Sequence, residues 1–167
     1  MGDIKTLKPS GPYQNGKFIP INKEKYVGEY PIIYRSSLEL RFCKICDENS
    51  SILYWTSEPN KSPFPIRYHH PVEDRPASYY PDYLIYKRDQ NGNIQKLIIE
   101  IKPEALTLMP PKPANNATLK TRRNYVKRCQ MILVNLTKKE AAEKFAAHYG
   151  LVYMFFHERN FSDSFLY

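Results

Sequence analysis

The stretch from residue 79 to residue 103, YYPDYLIYKRDQNGNIQKLIIEIKP, combines two apolar segments with charged residues that could do chemistry. Asp82 stands at the start of the first segment, and Glu100 and Lys102 stand near the end of the second. An Asn-Gly pair between the segments is typical of a β-hairpin turn. Because side chains two apart on a strand share a face, Glu100 and Lys102 are expected to point the same way.

The register of this hairpin decides whether Asp82 joins the other two charges. A two-residue turn would place Asp82 opposite Ile101, whose side chain points to the other face. A three-residue loop that ends at Gly92 brings Asp82 directly opposite Glu100. Such a loop needs a left-handed last residue, which Gly92 provides, and Asp89 suits the start of its type I turn. The sequence therefore favours the three-residue loop.

Two opposed carboxylates in an apolar setting predict a metal site. Directly opposed residues on antiparallel strands have Cβ atoms roughly 4.5–5.5 Å apart. At that separation two ionised carboxylates repel each other unless a cation lies between them. Oxygen ligands of this kind suit Mg²⁺, with Mn²⁺ as a substitute. The alternative is a salt bridge between Lys102 and one of the acids on a solvated face, and the apolar setting favours the metal.

The first half of the chain predicts an arm followed by a domain. Residues 1–30 mix Pro, Gly, Asn and Lys without periodicity, which indicates an extended N-terminal arm, and residues 31–167 are expected to form a single α/β domain. Helical spacing of apolar residues after a capping box at Ser36 and Glu39 predicts a helix over about 37–48. A short strand, SILYWTSE, and then a strand with a polar loop precede the hairpin.

The second half predicts a long loop, two helices and a last strand. The Pro-rich segment KPEALTLMPPKPANNA cannot form regular structure and is expected to be a surface loop. A basic helix should run from Thr118 to about Asn135, and a second capping box at Thr137 should open another helix that closes at Gly150. The apolar run LVYMFF suits a strand buried on both faces. The expected element order is thus α, β, β, β, α, α, β.

Composition points to a basic protein of a reducing compartment. The formal net charge is +8 and the isoelectric point is about 9.3, which favours polyanionic partners such as nucleic acid. Only three cysteines are present, too few for a disulfide scaffold, so a cytosolic location is expected. No run approaches the ~18 consecutive apolar residues of a membrane-spanning helix.

The basic helix is a candidate surface for DNA phosphates. It carries five cations and no acid. A helix face that is merely solvated would also explain this charge pattern. The density of positive charge favours phosphate contact. The candidate residues are Lys120, Arg122, Arg123, Lys127 and Arg128.

The acidic and basic residues of the hairpin match a known motif. Pro81-Asp82 followed by Glu100-Ile101-Lys102 has the PD-(D/E)-x-K pattern, and the chain resembles the PD-(D/E)-x-K nuclease superfamily. The stretch SSLELRFCKICDENSSILYWTSEP with YYPD resembles its transposon-end nuclease type. With GKFIPINKEKYVG and LIIEIKP added, the chain most resembles the head completion nucleases of T-even-type bacteriophages. The resemblance implies a restriction-endonuclease-like α-β-β-β-α-β core, with a mixed central sheet flanked by helices.

The resemblance also implies roles for the site residues. Asp82 and Glu100 would bind Mg²⁺, and Lys102 would orient or activate the attacking water. Glu39 would complete the acidic cluster, although as the third residue of a capping box it could instead only satisfy a backbone N–H.

The activity implied is a metal-dependent endonuclease that hydrolyses DNA phosphodiester bonds during phage head completion, after DNA packaging. Its partners would be double-stranded DNA and head or portal proteins, with no membrane, in the cytoplasm of the bacterial host or in the virion. Two alternatives stay open. One is a non-catalytic protein that binds DNA ends or plugs the head on a nuclease fold, and the other is a transposase-like cutting subunit.

Overall fold

Eight strands and two α-helices make up the computed structural model, which describes residues 15–162 of the 167-residue chain. The helices are α1 (Ser37–Glu48) and α2 (Leu119–Tyr149). The strands are β1 (Gly16–Phe18), β2 (Ile32–Tyr34), β3 (Ile52–Ser57), β4 (Ile66–His70), β5 (Arg75–Tyr79), β6 (Tyr83–Arg88), β7 (Ile94–Ile101) and β8 (Val152–Phe156).

A four-stranded mixed sheet forms the centre of the domain. Its strand order is β3-β6-β7-β8, in which β6 pairs antiparallel with both β3 and β7, and β8 pairs parallel with β7. The α-β-β-β-α-β order of the restriction-endonuclease-like fold is formed, along the chain, by α1, β3, β6, β7, α2 and β8. The β4–β5 hairpin is inserted between β3 and β6. The predicted core order and the mixed sheet are therefore confirmed.

Helix α1 covers one face of the sheet, and its bounds agree with the prediction. The Ser36 hydroxyl accepts a hydrogen bond from the Glu39 N–H at 3.1 Å, which satisfies one of the free donors at the helix start. Phe42 and Cys43 are fully buried on the inner side of the helix. They pack in one cluster with Trp55, Tyr83 and other apolar residues of the sheet.

The opposite face of the sheet is covered by α2 and by the β4–β5 hairpin. The side chain of Ile98 points to this face and packs in a second cluster with Ile66 and with Ala142 and Ala146 of the C-terminal half of α2. Small residues on the helix allow it to approach the sheet closely. Strand β7 is thus buried from both sides, with Leu97, Ile99 and Ile101 facing α1 and Ile98 and Glu100 facing α2.

The prediction of two helices after the Pro-rich loop is wrong, because α2 is one continuous helix of 31 residues. Its start at Thr118 is confirmed, since the Thr118 hydroxyl accepts from the Thr121 N–H at 3.1 Å. Its end is confirmed at Gly150, which has a left-handed φ of 66°. Thr137 does not cap a second helix, because its hydroxyl donates to the Leu133 carbonyl one turn earlier, at 2.9 Å.

Three other segments refine the predictions. The expected strand and polar loop before the β6–β7 hairpin is a two-stranded hairpin, β4–β5. Strand β8 lies at the edge of the sheet, where its first residue, Val152, is exposed, while Phe156 packs in the cluster facing α1 and Tyr153 in the cluster facing α2. Part of the predicted arm packs on the domain, because β1 pairs with β2 and Tyr26 is buried beside Trp55. Residues 1–14 of that arm lie outside the described residues.

Neither α-helix in residues 15–162 combines the length and the apolar character that crossing a lipid bilayer requires.

Candidate active site

The hairpin of β6 and β7 has the register that brings Asp82 opposite Glu100. Tyr83 pairs with Ile99, so the residues one step further out, Asp82 and Glu100, face each other. The Asp89 N–H donates to the Asn93 carbonyl at 2.8 Å, which closes a three-residue loop. Gly92 has a φ of 84°, as the last position of this loop requires. The predicted loop and register are both confirmed.

Asp82 is held at the end of the sheet by main-chain hydrogen bonds. The Ile101 N–H donates to its Oδ2 at 2.6 Å, and the Glu58 N–H donates to its carbonyl at 2.8 Å. Burial, followed by the charge of Glu100, raises the pKa of the Asp82 carboxyl to about 7, while Lys102 and the Ile101 hydrogen bond act in the opposite direction. The fold thus holds this carboxylate in place although its ionised form is disfavoured.

Glu100 and Lys102 lie next to each other on the same side of β7. Lys102 Nζ contacts Glu100 Oε1 at 2.8 Å. Burial lowers the pKa of Lys102, but the negative charges of Asp82 and Glu100 outweigh that effect and leave the pKa above its ordinary value. Glu100 is only 6% exposed, and its second oxygen, Oε2, is buried without a hydrogen-bond partner among the described residues. A buried carboxylate oxygen without a partner is costly unless a cation or a polar ligand binds it.

These features fit a divalent cation held by two carboxylates. The pair offers hard oxygen ligands, one of them an unpartnered buried oxygen, and the repulsion between the acids would be relieved by positive charge. Within residues 15–162, no three His, Cys, Asp or Glu side chains come together to form a complete metal cage. Mg²⁺ does not need one, because it commonly keeps several waters and is bound by one or two carboxylates together with substrate phosphates.

Glu39 lies at the start of α1, where its carboxylate is engaged in capping. Glu39 Oε2 accepts from the Arg35 N–H at 2.8 Å, and Oε1 accepts from the Ser36 hydroxyl at 3.2 Å. Its charge still contributes to raising the pKa of Asp82, as the last of the causes. The structure therefore places Glu39 near the acidic pair but with its carboxylate directed to the helix cap.

Two tyrosines border the acidic pair and were not singled out from the sequence. Burial raises the pKa of Tyr79 and of Tyr153, and the charges of Glu100 and Asp82 raise both further. Tyr153 on β8 pairs with Ile98 of β7, so it lies beside the strand that carries Glu100. Tyr79 lies three residues before Asp82, which is a signal of proximity in the sequence, whereas nothing local marks Tyr153.

The five predicted DNA-binding cations lie on the N-terminal half of α2, and none of them is among the charges that shift the pKa of Asp82 or Lys102. All five are exposed, and within residues 15–162 none of them forms an ion pair with a carboxylate. Arg122 and Arg128 donate to the carbonyls of Asn115 and Ala105, at 2.6 and 2.8 Å. These bonds connect the Pro-rich loop to the helix. The remaining three residues are Lys120, Arg123 and Lys127.

Comparison with known proteins agrees with this arrangement. The model of a family described as "TnsA-like endonuclease N terminal" matches residues 49–158, a range that includes Asp82, Glu100 and Lys102. The head completion nuclease of Enterobacteria phage T4 is 33% identical over 138 residues, which cover 82% of this chain and 86% of the relative.

Proposed function

The chain belongs to the TnsA-like endonuclease N-terminal family, and we propose that it is a Mg²⁺-dependent endodeoxyribonuclease of the PD-(D/E)-x-K type. Family membership and the similarity to a phage nuclease support a nuclease role. The observation that carries the finer proposal is the opposed pair of Asp82 and Glu100, in which Glu100 Oε2 is buried and has no hydrogen-bond partner within residues 15–162. Mn²⁺ should substitute for Mg²⁺, because it prefers the same oxygen ligands.

Each residue of the pair and its neighbouring lysine has a distinct task. Asp82 and Glu100 would hold the cation, and the Ile101 N–H fixes the orientation of the Asp82 carboxylate. When bound, Mg²⁺ supplies positive charge to the phosphate and lowers the pKa of water. Lys102, paired with Glu100 at 2.8 Å, would donate a hydrogen bond to the attacking water and stabilise negative charge that develops on the phosphate.

The exposed cations of α2 would bind the DNA backbone. They are Lys120, Arg122, Arg123, Lys127 and Arg128. The stretch from 119 to 139 contains no acidic residue that could neutralise them. Contacts of this kind position DNA without reading its sequence, so the choice of cleavage site should depend on DNA structure more than on base identity.

Cleavage assays with matched variants test the nuclease. Purified protein is incubated with plasmid and with linear duplex DNA in Mg²⁺, Mn²⁺ or EDTA. Wild type should cut in either metal and not in EDTA, whereas Asp82→Asn and Glu100→Gln should lose cleavage by orders of magnitude. Asp74→Asn makes the same chemical change at an exposed position and should cut normally. Equal cutting by Asp82→Asn and wild type would contradict the assignment of the site.

The role in phage assembly is the second part of the proposal. The relative is named a head completion nuclease and shares most of its length with this chain. By this similarity, the chain would act on double-stranded DNA beside head or portal proteins, in the host cytoplasm or the virion.

Complementation tests the assembly role. A T4-type phage that lacks its head completion nuclease is supplied with wild type or with Asp82→Asn, and infective particles are counted. Rescue by wild type alone supports catalysis in head completion. Rescue by both would favour a non-catalytic plug, and rescue by neither would count against a role in heads.

A further inference from the structure

Lys138 on α2 lies over two tyrosine rings, one of which, Tyr79, borders the acidic pair. Its Nζ is 5.0 Å from the centroid of the Tyr79 ring and 5.6 Å from the centroid of the Tyr68 ring. The Tyr79 hydroxyl donates to the Lys138 carbonyl at 3.0 Å, which fixes this turn of α2 against the end of β5. Contacts of a lysine with ring faces hold its side chain in one direction without neutralising its charge.

The ammonium of Lys138 interacts electrostatically with the charged residues of the candidate active site. Burial lowers the pKa of Lys138 and the charge of Lys102 lowers it further, while Glu100 and Asp82 raise it. Among residues 15–162, Lys138 forms no ion pair with a carboxylate, whereas Lys102 is paired with Glu100 at 2.8 Å. Lys138 is therefore the cation of this site that remains available to a second negative group.

The helix that carries Lys138 also carries the predicted DNA-binding cations. Because α2 is continuous, Lys127 lies about three turns before Lys138 on nearly the same face, about 16 Å along the axis. Lys120 lies about five turns before Lys138 on that face, about 27 Å along the axis. Lys120, Lys127 and Lys138 therefore lie on one face of the helix, which extends from its exposed basic end to the turn beside Tyr79.

We propose that Lys138 binds a DNA phosphate beside Asp82 and Glu100, and that it is the innermost of a line of cations that holds the DNA backbone along α2. This proposal rests on the proposed function, since it takes the acidic pair as the cleavage site. Lys138 would position the phosphate, while Lys102 next to Glu100 would face the attacking water. The two lysines would therefore be separable in experiment.

Lys138→Met tests the proposal, because it removes the charge and keeps the length of the side chain. Lys138→Arg keeps the charge, and Lys139→Met is the matched control at a neighbouring residue that points elsewhere, toward Glu143 at 3.8 Å. Binding to a fluorescein-labelled 30-base-pair duplex is measured in EDTA across a series of NaCl concentrations. Loss of one phosphate contact should reduce the slope of log K against log [NaCl] by about 0.9 and the affinity by about eightfold at 0.1 M NaCl.

Kinetics of cleavage in Mg²⁺ provide the second measurement. Lys138→Met should lower kcat/KM by at least the factor by which it lowers the affinity for DNA. Lys138→Arg should restore most of kcat/KM and most of the affinity. Urea unfolding followed by Trp55 fluorescence shows whether a variant remains folded, and a fold defect in Lys138→Met without rescue by Lys138→Arg would overturn the proposal.

The failure of this proposal can be told apart from failure of the nuclease assignment. If wild type cuts DNA but Lys138→Met binds and cuts like Lys139→Met, the role of Lys138 is refuted and the nuclease stands. If wild type cuts no DNA but the slope of log K against log [NaCl] is still smaller for Lys138→Met by the value of one phosphate contact, the phosphate contact stands and the nuclease assignment fails.

Discussion

Replacing Asp82 by Asn should stabilise the metal-free protein increasingly as the pH rises. The Asn side chain has nearly the same size, and its amide oxygen can accept the hydrogen bond that the Ile101 N–H now donates to Asp82 Oδ2 at 2.6 Å. It cannot ionise, so the repulsion with Glu100 and the cost of burying a charge are both removed.

The pKa of Asp82 sets the size of this effect. The pKa is 3.8 in an unperturbed Asp and about 7 in the fold. Between these pH values the unfolded chain has lost the Asp82 proton while the folded chain still holds it. The free energy of unfolding therefore has its full value below pH 3.8 and falls as the pH rises toward 7. The total loss above pH 7 is at most about 4 kcal/mol. From pH 5 to pH 8 the advantage of Asp82→Asn over wild type should therefore grow by about 2.5 kcal/mol.

Urea unfolding in EDTA measures this difference. Trp55 is the only tryptophan and is fully buried in the core, so its fluorescence reports unfolding directly. Glu48→Gln, which neutralises an exposed carboxylate that forms no ion pair within residues 15–162, is the control and should follow wild type at both pH values. If the free energies of unfolding of wild type and Asp82→Asn change in parallel between pH 5 and pH 8, the pKa of Asp82 is not raised by burial and by Glu100, and the reasoning is refuted. Adding Mg²⁺ at pH 8 should stabilise wild type and have little effect on Asp82→Asn.

Three further predictions concern the fold and the DNA-binding helix. Ser36→Ala should lower the free energy of unfolding in urea by about 1 kcal/mol, because it removes a helix cap. Thr137→Ala, in the middle of α2, should be neutral or slightly stabilising. Equal losses of unfolding free energy in the two variants would contradict the single long helix. Gly92→Ala should cost about 1 kcal/mol through its positive φ alone, since a Cβ there meets no atom within 4 Å, and an unchanged urea midpoint would refute the strained loop. Arg122→Ala combined with Arg123→Ala should reduce the salt slope of DNA binding by about 1 to 2, and an unchanged slope would assign these residues to a solvated surface.

The part of the site that depends on local geometry could be predicted from the sequence. The turn chemistry of Asp89 and Gly92 fixed the loop length, and the two-residue period of strands then placed Asp82 opposite Glu100. The start of α1 was likewise predictable, because the Ser36 cap and the apolar spacing of the helix agree with each other. In such cases a few neighbouring residues determine the outcome.

The parts that depend on packing over long distances were missed. Thr137 and Glu140 have the spacing of a capping box, but no Gly or Pro interrupts residues 119–149, and packing of Ala142 and Ala146 against Ile98 keeps the helix intact. The predicted break assigned Lys138 to a separate element from the basic residues. Its proximity to Tyr79 and the acidic pair depends on how α2 crosses the sheet, for which the sequence has no local signal.

Burial on both faces of β7 explains how an acidic pair can be held in so apolar a stretch. Leu97, Ile98 and Ile99 are at most 3% exposed, and full burial of each such side chain contributes about 2 kcal/mol. The three together contribute about 6 kcal/mol, which outweighs the cost, at most about 4 kcal/mol, of ionising the buried Asp82 beside Glu100. The apolar residues therefore fix the positions of the carboxylates, and the repulsion that remains is available to favour binding of a cation. A more polar strand would hold the same acids less rigidly and would let water screen them, which would weaken that preference.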